Sequence, residues 1–200
     1  MEGIVNFPAF VLASTLLILS PGPGTLAILG AATGSQLAGF AALAGTSVGD
    51  AVLMAVAALG AASLLHSNPV AFSLLLYGGG AYLAWLGLQA LLSKEPALAV
   101  SKLASGGAFQ RSLWVTLLNP KAIVFFMAFF PQFTTPQAGA TSFALLGAAF
   151  IAMNCTYQAV LICGAHWVIG HLTQAPQWAL WINRALGLAF LGFGVRLALG

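Results

Sequence analysis

Three polar residues interrupt apolar segments that are each long enough to cross a bilayer: Asp50, Lys121 and Asn154. A charged Asp at the centre of a membrane helix costs roughly 2.5–3.5 kcal/mol on insertion scales, so its presence indicates a function. Asp50 could titrate a proton or bind the amine of a solute, and the alternative is a structural partner for a basic residue. Lys121 could reach Asp50 with its long side chain or extend its ammonium towards the membrane surface. Asn154 predicts a hydrogen bond between helices.

Two breaks lie within the apolar segments, where residues 20–23 read Ser-Pro-Gly-Pro and residues 119–121 read Asn-Pro-Lys. Proline removes a backbone donor and clashes with the preceding turn, so neither segment continues as a regular helix. At membrane depth, broken backbone is tolerated only where it is buried in protein or lines a water-filled cavity. Half-helices bind carboxylates at their amide ends and cations at their carbonyl ends.

A site between the two breaks, with Asp50 nearby, therefore suits a zwitterionic solute such as an amino acid. A kink that serves only helix packing is the alternative interpretation. The candidate substrate-binding residues are Ser20, Pro21, Gly22, Pro23, Asp50, Asn119, Pro120, Lys121 and Asn154, with Asp50 also the candidate for proton coupling.

The composition excludes a water-soluble globule. The 200 residues are 60% hydrophobic and 4% charged, whereas soluble domains carry about 25% charged residues. The class that remains is an integral membrane protein. The basic residues are scattered, so the net charge of +3 indicates loop charges that set topology rather than a nucleic-acid surface. The first apolar stretch has no basic residue before it and is too long for a signal peptide, so we expect it to form the first span.

The hydropathy pattern predicts an all-α membrane protein with about six transmembrane helices. The loop at residues 93–111 contains Lys94, Lys102 and Arg111, half of the six basic residues. The positive-inside rule places this loop in the cytoplasm and both termini outside. The expected spans cover residues 4–32, 37–65, 70–92, 112–133, 140–169 and 178–199.

Short stretches in the first half of the chain resemble stretches in the second half, in the same order. Three spans in each unit would force the two copies into opposite orientations. Inverted repeats with interrupted segments at matching positions are typical of secondary transporters. We therefore predict one transmembrane domain built from two inverted three-helix repeats, residues 1–100 and 101–200, with broken helices 1 and 4. The matching stretches are residues 17–21 with 116–120, 40–45 with 143–148, and 80–89 with 187–196.

Other function classes fit the sequence less well. Residues 45–49 match the G-x-S-x-G pattern of serine hydrolases, which requires a strand–turn–helix elbow with a positioned His and acid. Inside a membrane helix such small residues predict helix packing instead, so no enzyme is expected. An exporter of metal ions would need converging Cys, His or carboxylate ligands, and Asp50 is the single residue of these types that we place in the pathway. We expect no cofactor, and a non-transporting membrane interaction protein is a further alternative.

Four motifs follow one another along the chain: residues 20–23, the glycines that lead to Asp50, Gly-Ala-Tyr-Leu-Ala-Trp-Leu-Gly at 80–87, and Leu-Asn-Pro-Lys-Ala at 118–122 with Phe-Pro-Gln-Phe at 130–133. Together they resemble the LysE/RhtB family of bacterial amino-acid exporters over essentially the whole chain.

The resemblance implies six helices in the bacterial cytoplasmic membrane and export of amino acids or close derivatives, driven by the proton motive force. It also implies that the residues at the two breaks and Asp50 line the transport pathway. The expected partners are an amino acid and the lipid bilayer, with a homodimer left open and no nucleic acid. The first motif of the family often continues with Asn after the second proline, where this chain has Gly24. Substrate preference is therefore expected to differ.

Overall fold

The structure is a computed structural model that describes residues 3–93, 107–135, 140–165 and 176–199. Over these residues the chain is helical, as predicted, and the all-α architecture is confirmed. The fourth broken segment ends with a π-helical turn at Phe125–Phe129 and a 3₁₀ turn at Phe130–Phe133. The helices are α1 (Phe7–Leu19), α2 (Pro23–Ala32), α3 (Gln36–Ser67), α4 (Pro69–Leu92), α5 (Ala108–Leu117), α6 (Pro120–Val124), α7 (Ala140–Cys163) and α8 (Pro176–Leu199).

The predicted start of the fourth segment is wrong by one helical turn. Arg111 lies within α5 and not in the preceding loop, because the helix begins directly after Gly107. Gly107 adopts a left-handed backbone conformation with φ of 71°, which glycine takes without a steric penalty. The rest of the predicted cytoplasmic loop, residues 94–106, and the end of the fifth span, residues 166–169, lie outside the described residues.

Both predicted breaks are confirmed. The helices α1 and α2 meet at 54°, and α5 meets the segment Pro120–Phe133 at 53°. Ser20 and Asn119 adopt nearly the same extended backbone, with φ and ψ of −75° and 110° at Ser20 and of −77° and 110° at Asn119. Each precedes a proline, whose Cδ disfavours the helical region for the residue before it. The bends therefore follow from the Ser-Pro and Asn-Pro dipeptides.

Two helices of the described residues, Gln36–Gly60 and Ala140–Cys163, are long and apolar enough to cross a membrane, and each bent pair adds one more span if it is counted as a unit. The helices α4 and α8 lie where the third and sixth spans are predicted and have 24 residues each. At about 1.5 Å per residue, this length reaches about 36 Å and exceeds the bilayer core of about 30 Å. The chain is a multi-pass membrane protein, and the count of six stays a prediction.

The end of the broken fourth segment differs from the predicted continuous helix. Pro131 has no amide hydrogen for a helical bond, so the α pattern cannot continue through it. The side-chain Nε2 of Gln132 donates to the carbonyl oxygen of Ala128 at 2.9 Å and satisfies an acceptor at this end. Around the π turn, a cluster of buried phenylalanines joins α1, the fourth segment and α7. Its members include Phe10, Phe126, Phe130 and Phe150.

Four glycines bring α4 and α8 into backbone contact. A Cβ added at Gly194 would lie 2.6 Å from the carbonyl oxygen of Gly80, and one added at Gly87 would lie 2.6 Å from that of Gly187. No side chain fits at such distances, so glycine is required for this close approach. We call this contact the glycine seam. It pairs Gly80 with Gly194 and Gly87 with Gly187, as antiparallel helices would.

The small residues of the G-x-S-x-G pattern pack α3 against α5, as predicted. A Cβ at Gly45 would overlap the carbonyl oxygen of Phe109, and a Cβ at Gly49 would lie 2.8 Å from the Cβ of Thr116. The absence of side chains at the two glycines lets α5 lie directly against α3. This packing holds Thr116 beside the middle of α3.

The seam makes a direct prediction for stability. Gly87→Ala would place its Cβ 2.8 Å from the backbone nitrogen of Leu191, and such overpacking lowers the free energy of unfolding by about 1–3 kcal/mol. Gly78→Ala is the matched control on the same helix, because no atom lies within 4 Å of its added Cβ. The control should keep or raise the melting temperature in detergent. Equal melting temperatures for the two variants would contradict the seam.

Candidate functional site

The two breaks lie against each other through the side chain of Lys121. Its Nζ donates to the carbonyl oxygens of Ser20 at 2.9 Å and Leu17 at 3.4 Å, and it lies 5.4 Å from the ring centroid of Phe190. The carbonyl end of a helix carries a partial negative charge that a cation stabilises. A Cβ added at Gly22 would lie 3.7 Å from this Nζ, so the missing side chain leaves room for the ammonium. Lys121 thus neutralises the end of α1.

Neither predicted role of Lys121 matches this arrangement. Among the contacts of the described residues, Asp50 and Lys121 form no ion pair within 4 Å, and the ammonium of the lysine is bound inside the protein. The carbonyl oxygens at the end of α1 take the ammonium instead, because the break leaves them without helical donors.

The helices that follow the two breaks, α2 and α6, differ in how their first turns are capped. Asn119 precedes α6 and its Oδ1 accepts from the backbone nitrogen of Lys121 at 3.0 Å. Gly22 holds the same position before α2 but has no side chain to cap it. The amide hydrogens of Gly24 and Thr25 have no acceptor within their helix, since the first turn never does. The beginning of α2 therefore offers unused donors and a partial positive charge.

Asp50 is 5% exposed, and its hydrogen-bond partner is a side-chain amide. Asn154 Nδ2 donates to Asp50 Oδ2 at 3.1 Å, which confirms the hydrogen bond predicted for Asn154. Gln158 Nε2 in turn donates to Thr25 Oγ1 at 3.0 Å and to Asn154 Oδ1 at 3.4 Å. This chain of bonds links α3, α7 and α2. It fixes the orientation of the carboxylate at the point where the two breaks meet.

Two adjoining cavities surround the breaks. The inner cavity has a volume of ≈ 70 Å³ and contains Asp50 and Asn154, while the outer cavity has ≈ 430 Å³ and runs along α4 as far as Ser93. Lys121 lines both, as do Ser20, Gly22 and Asn119. Of the predicted site residues, Ser20, Gly22, Asp50, Asn119, Lys121 and Asn154 line the inner cavity, and Pro21, Pro23 and Pro120 line the outer one.

Four polar residues of the inner cavity are absent from the sequence prediction: Thr25, Thr46, Thr116 and Gln158. Two of them were detectable from helical spacing. Thr46 precedes Asp50 by one helical turn and Gln158 follows Asn154 by one turn, so each lies on the same helix face as the residue already singled out. Thr25 and Thr116 carry no comparable signal, because the bend angles and the packing of α5 decide where they point.

The sequence relatives agree with this architecture. The profile of the LysE type translocators matches residues 15–200. The chain belongs to the LysE translocator family. The resemblance seen in the motifs is thereby confirmed, and the protein is a transporter by family.

Several curated relatives of this translocator are leucine efflux proteins. The leucine efflux protein of Enterobacter sp. (strain 638) is 37% identical over 98% of this chain and 96% of its own length. That of Salmonella typhimurium (strain LT2) is 35% identical, and that of Klebsiella pneumoniae subsp. pneumoniae is 36% identical, each with the same coverage. No solved structure matches the chain.

The role of the Asn119 cap at the start of α6 can be tested by comparison with the Asn68 cap at the start of α4. Asn119→Ala removes the acceptor for the amide of Lys121, and Asn68→Ala removes the acceptor for the amide of Ala71 at the exposed start of α4. Each variant should lose about 1 kcal/mol of stability in thermal unfolding.

Transport should separate the two variants. Only Asn119→Ala loosens a break that lines the cavities, so it should slow efflux from cells, while Asn68→Ala keeps the wild-type rate. Asn119→Ser retains an N-cap oxygen and should restore most of the efflux. Equal efflux in the two alanine variants would show that the cap of α6 is purely structural.

Proposed function

We propose that this LysE translocator is a secondary transporter that exports a neutral aliphatic amino acid, of the leucine type, across the bacterial cytoplasmic membrane. One observation carries the proposal. Asp50 is 5% exposed, lies in a cavity between two helix breaks, and forms no ion pair with any described residue. The names of the relatives supply the amino-acid class, and the cavity supplies a place for its ammonium.

The energetics of Asp50 favour an amine ligand. A buried carboxylate without a cationic partner is costly, and the hydrogen bond from Asn154 compensates only part of that cost. The ammonium of an amino acid would complete the compensation. The rest of the cavity wall includes Leu17, Ile18, Phe126 and Phe150, which suit an aliphatic side chain because they carry no polar groups.

The proposal includes two inverted three-helix repeats, residues 1–100 and 101–200, across six spans. Three observations support it. Ser20 and Asn119 share their backbone angles, Asp50 bonds to Asn154, and the glycine seam pairs the first glycine of one motif with the last glycine of the other. Reciprocal pairing of this kind is what a two-fold axis between two copies produces.

The transport cycle that we propose starts in the outer cavity. This cavity reaches Ser93, next to the loop that carries the basic residues and that we assign to the cytoplasm. The amino acid passes Lys121, binds between the breaks with its ammonium at Asp50, and leaves outward when the repeats rock about the site. A proton then replaces the ammonium on Asp50, which couples export to the proton gradient.

Efflux from proteoliposomes tests the proposal. Wild-type protein should release preloaded leucine faster when a proton gradient is imposed. Asp50→Asn should lose this acceleration, because an amide cannot exchange a proton for an ammonium. Glu95→Gln, which neutralises a carboxylate of the predicted loop, should keep it.

Two results would oppose the proposal. Gradient-driven efflux that persists in Asp50→Asn would remove Asp50 from the coupling. Stabilisation of the purified protein by divalent metals, with none by leucine or other amino acids, would contradict amino-acid export itself.

A further inference from the structure

Two threonine hydroxyls in the inner cavity are buried without a hydrogen-bond partner. Thr46 is 5% exposed and Thr116 is 2% exposed, and neither Oγ1 contacts a donor or acceptor. A buried polar group left unpaired costs about 1–3 kcal/mol, so native proteins rarely keep two in one place. Both residues line the inner cavity. Each Oγ1 has almost no exposed surface of its own, so a ligand in this cavity reaches the hydroxyl after a rotation of the threonine side chain.

The two threonines both lie beside Gly24 in the first turn of α2. A Cβ added at Gly24 would be 3.9 Å from Thr46 Cγ2 and 4.0 Å from Thr116 Oγ1. This turn has no side-chain cap, so the amides of Gly24 and Thr25 point out of the helix as free donors. Two hydroxyl donors and an uncapped helix start together form a binding site for an anion. The positive end of α2 disfavours a metal cation at the same place.

The spacing along α3 fits both charges of an α-amino acid. Thr46 and Asp50 are one turn apart on the same face of α3, which places their Cβ atoms roughly 5–6 Å apart. In an α-amino acid the ammonium and the carboxylate are bonded to one carbon. A ligand that lies along this turn can therefore direct its ammonium to Asp50 and its carboxylate to Thr46.

The inner cavity is the right size for this group of atoms. At about 10–15 Å³ for each water-sized position, a volume of ≈ 70 Å³ holds about five to seven non-hydrogen atoms. The nitrogen, the α-carbon and the three carboxylate atoms of an amino acid fit within this range. The side chain of the ligand would then extend along the apolar wall at Ile18 and Phe150.

From these observations we infer that Thr46, Thr116 and the first turn of α2 form the carboxylate subsite of the translocator, opposite an ammonium subsite at Asp50. The inference rests on the proposed function and adds a requirement for a free carboxylate. Lys121 does not serve this role, because its ammonium is bound to the carbonyl oxygens of Leu17 and Ser20.

Binding measurements with two ligands test the subsite. L-leucine carries both charged groups, and 3-methylbutylamine is the same molecule without its carboxylate. For the detergent-purified protein, Thr46→Val and Thr116→Val should each weaken leucine binding by about 10- to 100-fold, as loss of a hydrogen bond to a charged group does. Both variants should bind 3-methylbutylamine as wild type does. Asp50→Asn should weaken both ligands.

Thr156→Val is the matched control, since Thr156 is exposed and its hydroxyl donates to the carbonyl oxygen of Ala152 in its own helix. It should bind both ligands like wild type. Melting temperatures confirm that each variant is folded, and Thr46→Ala and Thr116→Ala replace any valine variant that is not.

The possible failures are distinguishable. If wild type binds leucine but the threonine variants bind it equally well, or lose leucine and 3-methylbutylamine to the same degree, the carboxylate subsite is wrong and the proposed function stands. If wild type binds neither leucine nor any other amino acid, both are wrong.

Discussion

The structure depends on what proline does to the residue before it. Ser20 and Asn119 are forced into extended backbone, so two helices stop inside a region where water cannot satisfy their ends. Each free end then needs a partner from the protein or from a ligand. The carbonyl end of α1 receives Lys121, the start of α6 receives Asn119, and the start of α2 receives nothing from its cap residue. The two breaks therefore differ, because the start of α2 has no side-chain cap and the start of α6 has one.

Much of this arrangement could be predicted because the signals are local. The bends follow from two X-Pro dipeptides, the membrane class from the rarity of charge, and an interhelical hydrogen bond from the polar Asn154 within an apolar segment. The partner of Lys121 could not be predicted, since it is a backbone carbonyl and leaves no mark on the sequence. The π and 3₁₀ turns at 125–133 were not predicted, because Pro131 indicates only that the α pattern stops and not that the side chain of Gln132 bonds to Ala128 at this end.

The threonines show a different limit of sequence reasoning. Thr116 is an ordinary helix residue by type, and nothing in its neighbours distinguishes it from the exposed Thr156 of α7, while Thr46 is marked only by its spacing of one turn from Asp50. Their position in the cavity depends on two glycines, since Gly49 lets Thr116 approach α3 and Gly24 leaves the start of α2 open. Side chains that are missing therefore shape the cavity as much as those that are present.

The bond between Lys121 and Ser20 joins a side chain to a main-chain oxygen. Any residue at position 20 would present the same acceptor, provided that the proline after it keeps the backbone extended. A substitution at position 20 therefore does not remove the oxygen that accepts this hydrogen bond. Substitutions at position 121, or at Pro21 through the backbone, can change its strength, whereas drift at position 20 leaves this junction intact.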